Sequence, residues 1–417
     1  MLRKTRLLSL LVLLPAVQAA AQPKTDKKLQ KLIETYASPL LQRVLNAPDT
    51  FHYQFIYTRI DRDKNNVPHF TNYYLNVDRN DYFNPASTVK LPTALAALEK
   101  LNTMKAAGVD RNTTMLTDSA YPRETKVYTD ASAQNGLPSI SQYVKKIFLV
   151  SDNDAYNRLY EFVGQQQLNE TLWKKGYTDV RITRRFAGTT EEGNRHTNPI
   201  RFMNGNTLVY GQPPAYSSIP FNYSKTILVG KGHWDDKDSL INTPMDFTRH
   251  NNLPLEDLQQ IMQSVLFPES VPAKQRFNLA QDDYAFLYRY MSELPSESRF
   301  PTYDTTEYFD SYTKFFLFKA GKSKIPSNIR VFNKTGWSFG YLTDVAYIVD
   351  FKNKVEFMLT GNIYTNNDGI LNDNRYEYES IGYPYFKELG NIIYQEELKR
   401  KRKHVPDLSK FVFDYKN

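Results

Sequence analysis

The chain has 417 residues, 41% of them hydrophobic and 24% charged, a balance that excludes a disordered or collagen-like polymer and allows two or three domains or one large composite one. It holds no cysteine, which excludes disulfides, thiolate nucleophiles, Cys-bound zinc and iron–sulfur clusters. Six histidines show no tight metal-ligand spacing, so no metal or cofactor is expected, and a net charge of +8 is too mild an excess to point to nucleic acid.

Met1 to Arg6 is short and basic, Leu7 to Val17 is a mainly apolar run interrupted by Pro15, and Ala19-Ala20-Ala21 follows. This is a secretory signal pattern over 1–21, with a mature chain expected to begin near Gln22 in an exported, periplasmic protein. The apolar run is short for a membrane span, and no later stretch is apolar enough for one.

Helical spacing runs from Lys28 to Leu45, with a break near Pro39. Tyr53 to Ile60 and His69 to Val77 alternate as strands, joined by the polar turn Asp61 to Asn66. An Ala/Leu-rich helix is predicted from Ser87 to Met104, and another from Ile140 to Val150. Residues 203–240 are rich in Gly, Pro, Asn and Ser and read as an ordered loop excursion that either covers the helical lobe, the favoured reading, or lines the cleft mouth with Tyr216, Phe221, His233 and Trp234 to select large substrates. Pro254 to Phe267, Asp282 to Leu294 and Thr305 to Lys319 are predicted helices. Asn328 to Lys334, Tyr341 to Phe351 and Val355 to Ile363 are predicted strands, and Tyr378 to Lys401 a final helix. The run Lys399 to Lys403 reads as a solvated helix end whose cations match the helix dipole.

Strands at both ends around a helical interior predict an α/β (α+β), two-lobed architecture. One antiparallel sheet is drawn from about 27–83 and 325–400, and a mainly helical lobe from about 87–320. The basic tail is 399–417. The expectation is a single catalytic domain over 22–417, with a cleft between lobes as the natural site.

Three local patterns could carry chemistry there. Ser87-Thr88-Val89-Lys90 puts a hydroxyl and an amine three residues apart on one helix face. Serine needs an adjacent base to act as a nucleophile. A desolvated lysine beside other cations has a lowered pKa and can be that base. Ser151-Asp152-Asn153, at a turn between helices, offers a proton-relaying hydroxyl and a carbonyl-binding amide. Lys334-Thr335-Gly336, at the end of a strand, offers a charge and a hydroxyl for a carboxylate, and a glycine over which substrate can approach the backbone. A second S-x-x-K, Ser311 to Lys314, has no S-x-N between it and Lys334.

S-x-x-K, then S-D-N, then K-T-G, in an exported chain and on helix, loop and strand, resembles the penicillin-recognising serine hydrolases, and most closely the class A β-lactamases. The resemblance implies Ser87 as the acylated nucleophile and Lys90 as its base or proton relay. Ser151 would protonate the departing nitrogen. Asn153 would hold the substrate's side-chain amide, and Lys334 with Thr335 its carboxylate. Gly336 would line the substrate strand, and the backbone N–H groups of Ser87 and Trp337 would form the oxyanion hole. The implied partner is a small β-lactam or a cell-wall peptide.

The segment from Thr183 to Pro199 departs from the class A pattern. It contains Glu191 and Glu192, and Asn194 to Pro199 is similar to the end of the loop that carries the deacylating glutamate, yet no E-x-E-L-N is present. Either glutamate, or neither, would hold the second water. Three readings follow: a β-lactam hydrolase, a D-alanyl-D-alanine carboxypeptidase or transpeptidase using the same residues, and a non-catalytic envelope protein that binds cell-wall peptides.

Overall fold

A computed structural model describes residues 23–104 and 108–415. The expected leader over 1–21 lies outside the described residues. Helices α1 (Lys27–Tyr36) and α2 (Pro39–Leu45) lead into β1 (Gln54–Arg62) and β2 (Pro68–Leu75). Helices α3 (Lys90–Thr103), α4 (Ile140–Val150), α5 (Asn153–Val163), α6 (Gln165–Lys174), α7 (Leu255–Leu266) and α8 (Gln281–Ser292) build the interior. The chain returns as β3 (Ile329–Ser338), β4 (Tyr341–Asp350) and β5 (Val355–Tyr364), then α9 (Tyr383–Lys399).

The five strands form one antiparallel sheet in the order β3-β4-β5-β1-β2. The α+β architecture expected from the sequence is the one observed. Because side chains alternate along a strand, the sheet has two apolar faces. Phe55, Tyr57, Ala346, Ile348, Phe357 and Leu359 pack on one side with Leu29 and Ile33 of α1 and with Phe386, Leu389 and Ile393 of α9. Phe332, Val345, Tyr347 and Met358 pack on the other with the helical interior. The strand β3 is an edge strand, and its free edge faces the Ser87 turn.

Four expectations change. The predicted helix from Ser87 begins as a 3-10 turn over Ala86–Val89, and the α-helix starts at Lys90. The predicted helix over Thr305 to Lys319 reduces to Phe315–Phe318, broken internally by extended Phe316 and by Leu317 at φ 70°. Upstream, Asp304 accepts from the Thr306 N–H and hydroxyl, a local turn that competes with helix. The final helix is shorter, with a π turn over Tyr378–Gly382 before it. The basic run is only partly solvated: Arg400 and Arg402 fold back onto the buried Glu397, and Arg400 also reaches Asp61.

The excursion carries short strand pairs, including Ile200–Asn204 with Thr207–Gln212. It packs by aromatic contacts, Tyr216 on His196 and Phe221 on Trp173 of α6. Gly232 and His233 pair with Ile370 and Leu371 beyond β5. Among the described residues no helix is long and apolar enough to cross a membrane.

Candidate active site

Asn84 prepares the nucleophile turn. Its side-chain oxygen accepts the Ala86 N–H at 3.1 Å and its amide donates to Ser338 Oγ at 2.8 Å. Ala86 is thereby held at φ 44°, a left-handed conformation seldom adopted by a residue with a Cβ. The Thr88 N–H goes to Pro85 O. The Ser87 N–H has no acceptor among the described residues and is free to meet an oxyanion.

The strand β3 lies hard against this turn because of Gly336. A Cβ there would meet Pro85 O at 2.6 Å, Ser87 N at 2.7 Å and Thr88 N at 2.9 Å. The glycine therefore admits the backbone of the Ser87 turn, where substrate was expected to approach. The two-residue hairpin Phe339-Gly340, both at positive φ, turns β3 into β4 and carries Phe339 to the cavity mouth.

Ser151 sits between α4 and α5. It caps α4 in a left-handed conformation, φ 62°, while Asp152 caps α5 by accepting the Ala155 N–H. This kink aims the Ser151 hydroxyl and the Asn153 amide at Lys90. The Lys90 amine donates to Ser151 O and to Asn153 Oδ1 (2.7 Å), with Ser151 Oγ at 3.3 Å. Lys334 Nζ donates to Ser151 Oγ at 2.8 Å and to Thr335 O at 2.7 Å. A neutral amine has two N–H groups and one lone pair. Ser151 O and Asn153 Oδ1 can only accept, so they take both protons and leave the lone pair for the Ser151 O–H. The connected order is then Lys334 ammonium to Ser151 hydroxyl to Lys90 amine.

Electrostatics favour the neutral Lys90 of that assignment. Lys90 is fully buried, and burial, helped by the Lys334 charge, holds its amine well below the ordinary lysine range. Lys334 is pushed down to about 7 by burial. Behind it, Lys314 is also pushed down to about 7 and Asp344 up to about 7, both by burial. Asn333 joins these two, taking Lys314 Nζ at 2.7 Å and donating to Asp344 Oδ1 at 2.9 Å. Lys314 thus serves the strand interior and not Ser311, whose hydroxyl is buried without a partner.

Ser87 opens onto a cavity of about 180 Å³ lined by Asn84, Asn153, Arg184, Phe186, His250, Asn251 and Trp337–Phe339. The motifs are brought together, with two differences from expectation. The Lys90 amine is turned toward Ser151 and Asn153 and makes no hydrogen bond to the Ser87 hydroxyl, although the Lys90 backbone N–H donates to Ser87 O. Lys334 and Thr335 are buried behind Ser151 and do not line the cavity; Thr335 Oγ1 has no partner.

Glu191 and Glu192 are not brought to Ser87. Both are exposed; Glu191 pairs with Arg249 and Glu192 with His196. The buried Glu161 of α5 is held between Arg158 and Arg185, with Asn198 on its second oxygen. No carboxylate lines the cavity among the described residues, and no cluster of His, Asp or Glu suited to a metal occurs there or elsewhere among them.

Spacing alone does not single out Arg184, Phe186, His250 or Asn251. Asn251 Oδ1 accepts the N–H groups of Thr183 and Arg184, and Asn157 holds Phe186 at its backbone. The Phe186 ring centroid lies 5.2 Å from Lys90 Nζ.

Residues 41–210 match the beta-lactamase enzyme family. That stretch includes Ser87, Lys90, Ser151 and Asn153 and bears out the resemblance drawn from the motifs. No curated protein matches the chain. Among solved structures, a beta-lactamase from Sphaerobacter thermophilus DSM 20745 is similar at 14% identity and a TM-score of 0.46, over 87% of this chain and 98% of that one. A beta lactamase from Xanthomonas campestris pv. campestris str. ATCC 33913 is similar at 13% identity and a TM-score of 0.47, over 89% and 97%.

Proposed function

We propose that this chain is an exported serine hydrolase that opens β-lactam amides through an acyl-enzyme on Ser87. The observation that carries the reading is the Lys334–Ser151–Lys90 hydrogen-bond chain beside the Ser87 turn. Ser87 Oγ attacks the amide carbonyl, and its proton passes to the Lys90 lone pair, directly or through Ser151. The developing oxyanion takes the N–H groups of Ser87 and Trp337. Ser151 gives a proton to the departing nitrogen and is resupplied by the lysines. Asn153 orients the acyl-side amide.

A second reading is a D-alanyl-D-alanine carboxypeptidase or transpeptidase with the same residues. The cavity lining favours it by one feature: among the described residues no carboxylate lines the cavity to activate a deacylating water, so the acyl-enzyme is expected to be long-lived.

Intact mass of the purified protein with benzylpenicillin, followed over time, tests both. An adduct that clears as penicilloate accumulates supports the hydrolase. A persistent adduct, with cleavage of a D-alanyl-D-alanine peptide, supports the peptidase. No adduct on folded protein with several β-lactams would overturn both and leave a binding protein. Ser87→Ala must abolish any adduct.

A further inference from the structure

Among the described residues, Arg184 is the one charged residue lining the Ser87 cavity. The other titratable group there, His250, is pushed down to about 3 by burial and by the Arg184 charge, and is therefore neutral. Arg184 Nη1 donates to His250 Nε2 at 2.9 Å, and the guanidinium meets no carboxylate among the described residues. Its neighbour Arg185 contrasts with it, held by Glu124 and Glu161. A guanidinium has five N–H donors, so Arg184 keeps several to offer. Burial lowers its pKa from the arginine value, the sign of a cation short of compensation.

Its position is built. Asn251 fixes the backbone on both sides of the Thr183–Arg184 bond, and His250 holds the side chain. Lys334 cannot take its place in the cavity, since its amine is committed to Ser151 and Thr335 and the residue is 2% exposed. Arg184 shares its wall with Asn153 and Phe186, the side where the acyl amide of a substrate is held.

We infer that Arg184 is a specificity-determining residue that pairs with a carboxylate on the acyl portion of the substrate. This rests on the acyl-enzyme reading above. An arginine matches a carboxylate with two parallel N–H donors. The substrate class is then an amide whose acyl side carries its own acid, as an acidic peptide or an acid-substituted penicillin does.

Benzylpenicillin and α-carboxybenzylpenicillin differ by one acyl-side carboxylate. Rates of Ser87 acylation by each, read by intact mass, test the inference in the wild type, Arg184→Gln and Arg184→Lys. The wild type is expected to prefer the α-carboxy compound by about tenfold or more, the range of a charge-assisted hydrogen bond. Arg184→Gln should bring the two rates together, and Arg184→Lys should keep part of the preference. Equal rates in the wild type, or an equal loss on both compounds in Arg184→Gln, would overturn it and leave Arg184 as a wall support. If neither compound modifies wild-type Ser87, the acyl-enzyme reading fails. The anion site is then judged by titrating Trp337 fluorescence with the same pair, where equal affinities would overturn it too.

Discussion

Lys334 donates to Ser151 Oγ across 2.8 Å, and that hydroxyl stands 3.3 Å from the amine of Lys90. One oxygen thus separates two buried amines; burial lowers the proton affinity of both, and the Lys334 charge lowers that of Lys90 further. Ser151→Ala removes the shared partner and the proton route together. Acylation by benzylpenicillin should fall by about 10²- to 10⁴-fold, the span of a general acid–base group, with the circular dichroism of the folded protein retained. Stopped-flow acylation rates check this.

Glu191 and Glu192 do not line the cavity and pair with Arg249 and His196. Glu191→Gln and Glu192→Gln, singly and together, should change acylation and deacylation by less than about twofold and stability by under about 1 kcal/mol. Single-turnover decay of the benzylpenicillin adduct measures it. A faster-lived adduct in the wild type than in either variant would return a glutamate to the mechanism.

Gly336 leaves no room for a side chain against the Ser87 turn. Gly336→Ala must push backbone from backbone, since Pro85 O and Ser87 N cannot rotate away. A stability loss of about 1–3 kcal/mol is expected, and acylation should drop about 100-fold, because displacing a nucleophile by about 1 Å is that costly. Urea denaturation and acylation kinetics on the same preparation separate the two effects.

Lys314 and Lys334 titrate near 7 in the fold and near 10.4 when unfolded. Between those values the unfolded chain holds protons that the folded chain has released, so stability rises with pH. The rise is about 1.4 kcal/mol per pH unit for each lysine, and below about 7 their contribution is flat. Asp344, raised to about 7, acts oppositely and lower down: the folded chain keeps its proton from about 4 to 7, and stability falls with pH across that window. Lys314→Met should remove one lysine's share of the rise between pH 7.5 and 9.5. Urea midpoints at the two pH values measure the change in slope.

Much of this was readable along the chain. Ile140 to Val150 was legible to the residue because its apolar face repeats at helical spacing and Ser139 caps it. The sheet was legible because its strands alternate or are wholly apolar, although Thr335 to Ser338 continue the strand past the expected end at Lys334. Thr305 to Lys319 misled because tyrosines and phenylalanines there recur at helical intervals, yet they pair ring to ring in a loop, as Tyr308 and Phe309 do with Tyr312. The three motifs were legible because each is local. Arg184 and His250 were not, since they are 66 positions apart and meet only when the excursion closes. The inward turn of Arg400 was hidden for the same reason: its partner Asp61 is 339 positions away.

The chain leaves the cavity wall after Phe186 and rejoins it at His250 and Asn251, and next to both points Arg181 and Asn252 exchange backbone hydrogen bonds. Departure and return share one doorway. Lengthening a loop whose feet are already joined costs only about 0.6 kcal/mol per doubling. That doorway is therefore a place where the protein can gain or shed surface without moving Ser87: no described residue between Phe186 and His250 lines the cavity, so variation there leaves the bond-breaking apparatus in place.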